Sequence, residues 1–135
     1  MKILVTGSES FVGRELIKQC EKEDISVIGI DIVDRNNTNY EYHKVDICSS
    51  ELAEIISEDI DAVIHLAALS KDSDCRDKAY ECFNINVMGT LNLINSVRAK
   101  KIKQFIFASS EWVYDDFKNN EEKDENSLIN IFNHK

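Results

Sequence analysis

One stretch of the chain has residue types and an order that could hold a phosphate: Thr6-Gly7-Ser8-Glu9-Ser10-Phe11-Val12-Gly13. It follows a short apolar run, Lys2 to Thr6, and precedes a helical pattern, so it occupies a strand-to-helix turn. Glycine permits a tight turn and close helix packing. The first N–H groups of a helix are unpaired within it and lie at the positive end of its dipole, where a pyrophosphate is attracted. The same glycine pair could also be a turn with no ligand. Asp31 bears on that choice, because it closes the second apolar run. It sits near the ~20-residue distance from the turn at which an acidic side chain accepts hydrogen bonds from an adenosine ribose. An Asp there favours NAD over NADP, whose 2'-phosphate it repels; the alternative is a solvated carboxylate at a strand end.

Other reactive side chains are scattered. Cys20, Cys48, Cys75 and Cys82 have no Cys-x-x-Cys spacing and sit inside apolar periodicities, so they read as small buried hydrophobes of a reducing compartment. His43, His65 and His134 lack a second ligand at helical or loop spacing, so no metal site is expected.

The elements that position the turn alternate from the first residue. Lys2 to Thr6, Ser26 to Asp31, Tyr42 to Asp46, Ala62 to Ala67 and Gln104 to Ser109 are short and rich in Val, Ile, Leu and Phe, as strands buried on both faces are. Between them, Val12, Leu16 and Cys20 predict a helix over Phe11 to Glu23. Ser50 is the expected N-cap of a short helix carrying Leu52, Ile55 and Ile56. A long helix over Asp74 to Lys100 is expected to pack on the sheet through Ala79, Phe83, Val87, Leu91 and Ile94. The pattern is that of repeated strand-helix-strand units, an α/β doubly wound parallel sheet. Residues 1–114 form one domain in this reading; 115–135 begin with a polar, charged stretch and read as a loop, with Leu128, Ile129, Ile131 and Phe132 restoring apolar character only at the end.

A chain of 135 residues with 43% hydrophobic content is sized for one core. Its formal net charge of -9 argues against nucleic acid and anionic membranes as partners. No apolar run reaches about 18 residues and no signal peptide is evident, so a cytoplasmic location is expected.

With these residues in place, the chain resembles the extended short-chain dehydrogenase/reductase family, in particular its NAD-dependent epimerases and dehydratases of nucleotide sugars. The family's Thr-Gly-x-x-Gly-x-x-Gly turn is similar to Thr6–Gly13, and its acidic residue after the second strand to Asp31. Its Asp-hydrophobic pair beside the adenine is similar to Asp46 and Ile47. His65-Leu66-Ala67-Ala68 resembles a segment whose backbone passes the cofactor. Asn86-Val87-Met88-Gly89-Thr90-Leu91-Asn92-Leu93 resembles the Asn-x-x-Gly-Thr-x-Asn-Leu helix signature. Ser109-Ser110-Glu111-Trp112-Val113-Tyr114 is similar to the Ser-Ser-x-x-Val-Tyr segment that closes strand five, and the resemblance gives Ser110 the role of orienting the reacting hydroxyl.

The resemblance implies a Rossmann-type fold of about five strands in the order 3-2-1-4-5, with NAD held by Gly7, Ser10, Phe11, Val12, Gly13, Asp31, Asp46, Ile47, Leu66, Ala67, Ala68, Asn86 and Ser109. Two departures stand out. Ser10 replaces the middle glycine, where a side chain either crowds the pyrophosphate or donates a hydrogen bond to it. The family's Tyr-x-x-x-Lys pair falls past Ser110 by a distance that reaches the end of this chain. Tyr114 and Lys118 have that spacing, but Asp115, Asp116, Asn119 and Asn120 point to a turn and not a helix.

The resemblance thus implies a C-terminally truncated chain, without the catalytic Tyr and Lys and without the substrate domain, so that a nucleotide sugar binds only in a complete parent. General acid-base catalysis contributes about 10²- to 10⁴-fold, so no turnover is expected of these residues alone. Alternatives are a stand-alone module that senses NAD or binds a partner chain, and a non-functional remnant. The strand order leaves Gln104 to Ser109 as an open edge, which predicts self-association.

Overall fold

The protein is described by a computed structural model over residues 1–114 and 122–129; Lys118, Ile131 and Phe132 lie outside the described residues. The elements in chain order are β1 (Lys2–Thr6), α1 (Phe11–Lys22), β2 (Ser26–Asp31), β3 (Glu41–Lys44), α2 (Leu52–Ile55) and β4 (Ala62–His65). They continue with α3 (Asp72–Cys75), α4 (Ala79–Phe83), a π-helical segment (Asn84–Gly89), α5 (Thr90–Val97), β5 (Gln104–Phe107) and a 3₁₀ turn (Glu111–Tyr114). The strands form one parallel sheet in the order β3-β2-β1-β4-β5, as expected. The strand order reverses between β1 and β4, and that crevice is where open α/β sheets take ligands.

Alternation along the strands feeds two cores. Leu4, Ile28, Ile30 and Val63 join Leu52, Ile56, Leu93 and Val97 on the face covered by α2 and α5. Ile3, Val5, Val27 and Ala62 join Ile17 and Cys20 of α1 on the other. In the middle of β1, β2 and β4 the side chains on both faces are apolar, because there both faces are covered.

Several boundaries and faces differ from expectation. The third strand is Glu41–Lys44, so Asp46 and Ile47 lie beyond it, in a turn where Asp46 Oδ1 accepts from Cys48 N at 2.8 Å. The fourth ends at His65 and the fifth at Phe107, and Tyr114 belongs to the 3₁₀ turn rather than to a strand. On α1 the buried stripe is Gly13, Ile17 and Cys20, with Val12 exposed. The short helix begins beyond Ser50, and it is Ser49 Oγ that accepts from Glu51 N.

The long helix over 74–100 is broken. Asp77, in the left-handed region at φ 62°, separates α3 from α4, and the π segment separates α4 from α5. The break brings Cys75 and Cys82 into a disulfide, with Cα atoms 5.3 Å apart. In a continuous helix seven residues would separate them by about 10 Å. Reading all four cysteines as unpaired hydrophobes is therefore corrected for this pair; Cys20 and Cys48 are free. The stripe of Phe83, Val87, Leu91 and Ile94 is exposed, and the helix packs through Gly89, Leu93 and Val97. A π turn advances the phase of every following side chain, so a 3.6-residue stripe drawn across it selects the wrong face.

Candidate functional site

A cavity of about 310 Å³ opens at the C-terminal ends of β1, β2 and β4, lined by Gly7, Glu9, Ser10, Asp31, Ile32, Val33, Asp46, Ile47 and the stretch Leu66–Leu69. Its floor is the strand-to-helix turn. Gly7 has φ 68°, and a Cβ there would stand 2.7 Å from Ala67 N and 2.8 Å from Leu66 C, so only glycine lets the turn and the 66–67 backbone meet. A Cβ on Gly13 would lie 2.4 Å from Gly7 O, which fixes the entry of α1 onto the turn.

Ser10 caps α1: its Oγ accepts from Gly13 N at 3.0 Å, while its carbonyl accepts from Arg14 N at 3.0 Å. The hydroxyl at the position of the family's glycine thus gives one lone pair to the helix and keeps its O–H as a donor. The amides of Phe11 and Val12 have no partner within the helix, and they face the end where an anion is favoured.

Asp31 closes β2 and orders the wall beside it. Its Oδ2 accepts from Glu9 N at 2.9 Å, and its Oδ1 accepts from Ile32 N at 2.8 Å and Val33 N at 3.3 Å. A carboxylate offers about four acceptor positions, so about one is left for a ribose hydroxyl.

The opposite wall hangs on the helical stretch. Asn86 accepts from Leu69 N through Oδ1 at 2.8 Å and donates to Leu69 O through Nδ2 at 2.9 Å. Asn92 donates to Ile47 O at 2.7 Å and to Ser49 O at 2.9 Å. Gly89 lies against Ile47, where a Cβ would stand 2.7 Å from its Cδ1. The helix signature is thereby a pair of clamps on the two loops that line the cavity.

A buried relay joins both walls. Thr90 Oγ1 donates to Asn86 O at 2.7 Å and stands 2.9 Å from His65 Nε2, so Nε2 carries the proton and donates to Thr90. His65 Nδ1, 2.7 Å from Thr6 Oγ1, then accepts from that hydroxyl, whose oxygen accepts from Ala67 N at 3.4 Å. His65 is 1% exposed, and burial holds its pKa below the ordinary value.

Of the sequence-derived residues, Gly7, Ser10, Asp31, Asp46, Ile47, Leu66, Ala67 and Ala68 line the cavity. Gly13, Phe11 and Val12 stand at the start of α1 beneath it, with Phe11 87% exposed. Asn86 acts on Leu69, and Ser109 and Ser110 follow the end of β5 outside the lining. Glu9, Ile32, Val33 and Leu69 were not anticipated. Glu9 lay inside the motif unnoticed; its side chain, 5% exposed, accepts from Tyr40 Oη at 2.9 Å and pairs with Arg35 Nε at 3.4 Å. Burial, with the Glu9 contact second, pushes the Tyr40 pKa up to about 12.

Comparison with known proteins agrees with this geometry. The sequence model of the NAD dependent epimerase/dehydratase family matches residues 3–133. The chain belongs to that family. A UDP-glucose 4-epimerase from Klebsiella pneumoniae is 32% identical over 86% of this chain and 94% of that protein. A dTDP-D-glucose 4,6-dehydratase from Dictyostelium discoideum is 32% identical over 96% of this chain, which spans 33% of that relative's length. The solved UDP-glucuronic acid 4-epimerase from Bacillus cereus, in complex with UDP-glucuronic acid and NAD, superposes with a TM-score of 0.80 at 27% identity, over 96% of this chain and 46% of that one. Among the described residues no helix is long and apolar enough to cross a membrane.

Proposed function

We propose that the cavity binds NAD and that this chain supplies the cofactor half of a nucleotide-sugar epimerase or dehydratase, with residues 1–114 as the cofactor domain. The observation that carries this is the cavity at the β1/β4 switch point, where the Gly7 cradle, the start of α1 and Asp31 converge. The Gly7–Gly13 turn and the amides of Phe11 and Val12 would hold the pyrophosphate. Asp31 would hold a ribose hydroxyl through its remaining acceptor position, and Val33 and the Asp46–Ile47 turn would hold the adenine. Leu66, Ala67 and Ala68, whose loop Asn86 clamps at Leu69, would bound the cofactor beyond the pyrophosphate. Bound NAD would supply a hydride acceptor; after β5, Ser109 borders the cofactor and Ser110 orients the sugar hydroxyl where the rest of the protein provides the base. Calorimetric titration of the purified chain with NAD is the test. Saturable binding that Gly7→Ala abolishes is expected, and no binding to a folded chain would overturn the proposal.

A second reading is a free NAD-binding module completed by a partner chain. The intact mass of the endogenous protein separates the two: about 15.5 kDa supports the module, and a mass well above it supports the larger enzyme. Among the described residues β5 is an edge strand, with Ile106 42% and Phe107 55% exposed, and in a chain of 135 residues it pairs with a second copy. Light scattering at roughly tens of micromolar protein checks this, and a clean monomer would count against it.

A further inference from the structure

The β2–β3 connection carries a basic side chain, Arg35, four positions after the carboxylate that we assign to the ribose. In folds of this kind an Arg near that point is what accommodates the 2'-phosphate of NADP, while an Asp disfavours it. This chain holds both: Asp31 favours NAD, and Arg35 stands close by with the opposite preference. Arg35 sits in a second cavity, of about 170 Å³, which also receives Arg14, Lys18 and Glu21. Glu9 is common to the linings of the two cavities and stands as the wall between them.

Resting on the reading that the larger cavity takes NAD, we infer that Glu9 is a specificity-determining residue: its carboxylate holds Arg35 in the second cavity, away from the adenosine ribose, and so excludes NADP. The geometry has three parts. Glu9 is nearly fully buried while Arg35 is half exposed, so the carboxylate is the fixed partner and the guanidinium the movable one. The fixed partner is locked at both ends, by its backbone N–H to Asp31 and by Tyr40 to its other carboxylate oxygen. The second cavity balances Arg14, Lys18 and Arg35 against Glu9 and Glu21. Removing the Glu9 charge leaves Arg14, Lys18 and Arg35 with Glu21 in the second cavity and releases the Arg35 guanidinium to offset Asp31 at a 2'-phosphate.

The test is calorimetric titration of the chain with NAD and with NADP at one fixed salt concentration, for the parent, Glu9→Gln and Glu9→Gln/Arg35→Ala. The parent should prefer NAD. Glu9→Gln keeps the shape and an acceptor for Tyr40 and should shift the NADP:NAD affinity ratio toward NADP by about tenfold, the worth of one charge-assisted contact. Arg35→Ala on that background should return the ratio to the parent's. If NAD still binds and the Glu9→Gln ratio stays within about twofold of the parent's, or the double variant keeps the shift, this inference falls and the NAD reading stands. If the folded parent binds neither nucleotide, both fall. Should Glu9→Gln fail to fold, Glu9→Asp, whose shorter side chain loosens the same pair, should move the ratio in the same direction, and an unmoved ratio there would overturn the inference.

Discussion

The turn from Thr6 to Gly13 and the helical stretch from Ala79 to Val97 hold two walls of one cavity by different means. The turn is local: Ser10 caps the helix that follows it, Gly7 supplies the left-handed residue, and α1 runs unbroken for 12 residues. The stretch from Ala79 is assembled from afar. Its helices carry no side-chain cap, α4 buries no residue, and its anchors reach Leu69, Ile47, Ser49 and His65 across the chain. A wall built on backbone conformation tolerates little change, whereas a wall built on side-chain clamps loosens one clamp at a time.

Gly7→Ala should break the first wall outright. A methyl group forces both a left-handed alanine and overlap with the 66–67 backbone, so a loss of about 3 kcal/mol in urea unfolding is expected. An unfolding midpoint like the parent's would show that the turn can relax and that the contrast is overstated.

Thr90→Val tests the second wall. It leaves His65 Nε2–H and the Asn86 carbonyl without their hydroxyl, which costs about 1–3 kcal/mol by the same measurement. The relay also carries a pH dependence. Burial depresses the His65 pKa below its ordinary 6.5, so on acidification the unfolded chain takes up the proton first. The stability from neutral His65 is whole above about 6.5 and falls as pH drops toward the folded-state pKa. Urea titrations between about pH 7.5 and 5.5 should show this loss in the parent and a smaller one in His65→Leu. Equal slopes would remove His65 from the account.

Ser10 offers a finer contrast within the turn. Ser10→Ala should cost about 1 kcal/mol by removing the cap, and Ser10→Gly only a few tenths, while restoring the family's glycine and tightening NAD binding. Weaker binding by Ser10→Gly would mean that the hydroxyl also serves the phosphate.

The smallest effect is expected from reducing Cys75–Cys82. Reduction should raise hydrogen exchange over 72–83 and shift the global unfolding midpoint by less than about 1 kcal/mol, because neither α3 nor α4 feeds the sheet core. A large global shift would make the clasp part of the second wall's foundation.

Where local chemistry decides, the sequence was legible. β1 and β2 match their expected spans to the residue, and α1 to within one. The glycine turn and Asp31 converge on the cavity, and so do the Asp46–Ile47 pair and Leu66–Ala68, which the resemblance implied. Legibility failed over 72–97, where Phe83, Val87, Leu91 and Ile94 repeat as regularly as a core stripe yet face outward. Two apolar faces share that helix, and nothing local says which one the sheet will take. The π segment, Gly89 against Ile47 and the two asparagine clamps settle it.

By itself the sequence determined the parallel α/β sheet and the phosphate turn, since both follow from apolar runs and from backbone conformations that few residues can adopt; the strand order was implied by the resemblance. Only the tertiary structure decided that Asn86 clamps a loop, that Ser10 caps a helix, that Cys75 meets Cys82, and that Glu9 holds Arg35. Those are pairings between residues whose types leave many partners open. Proximity alone selects among them, and proximity is a property of the folded chain.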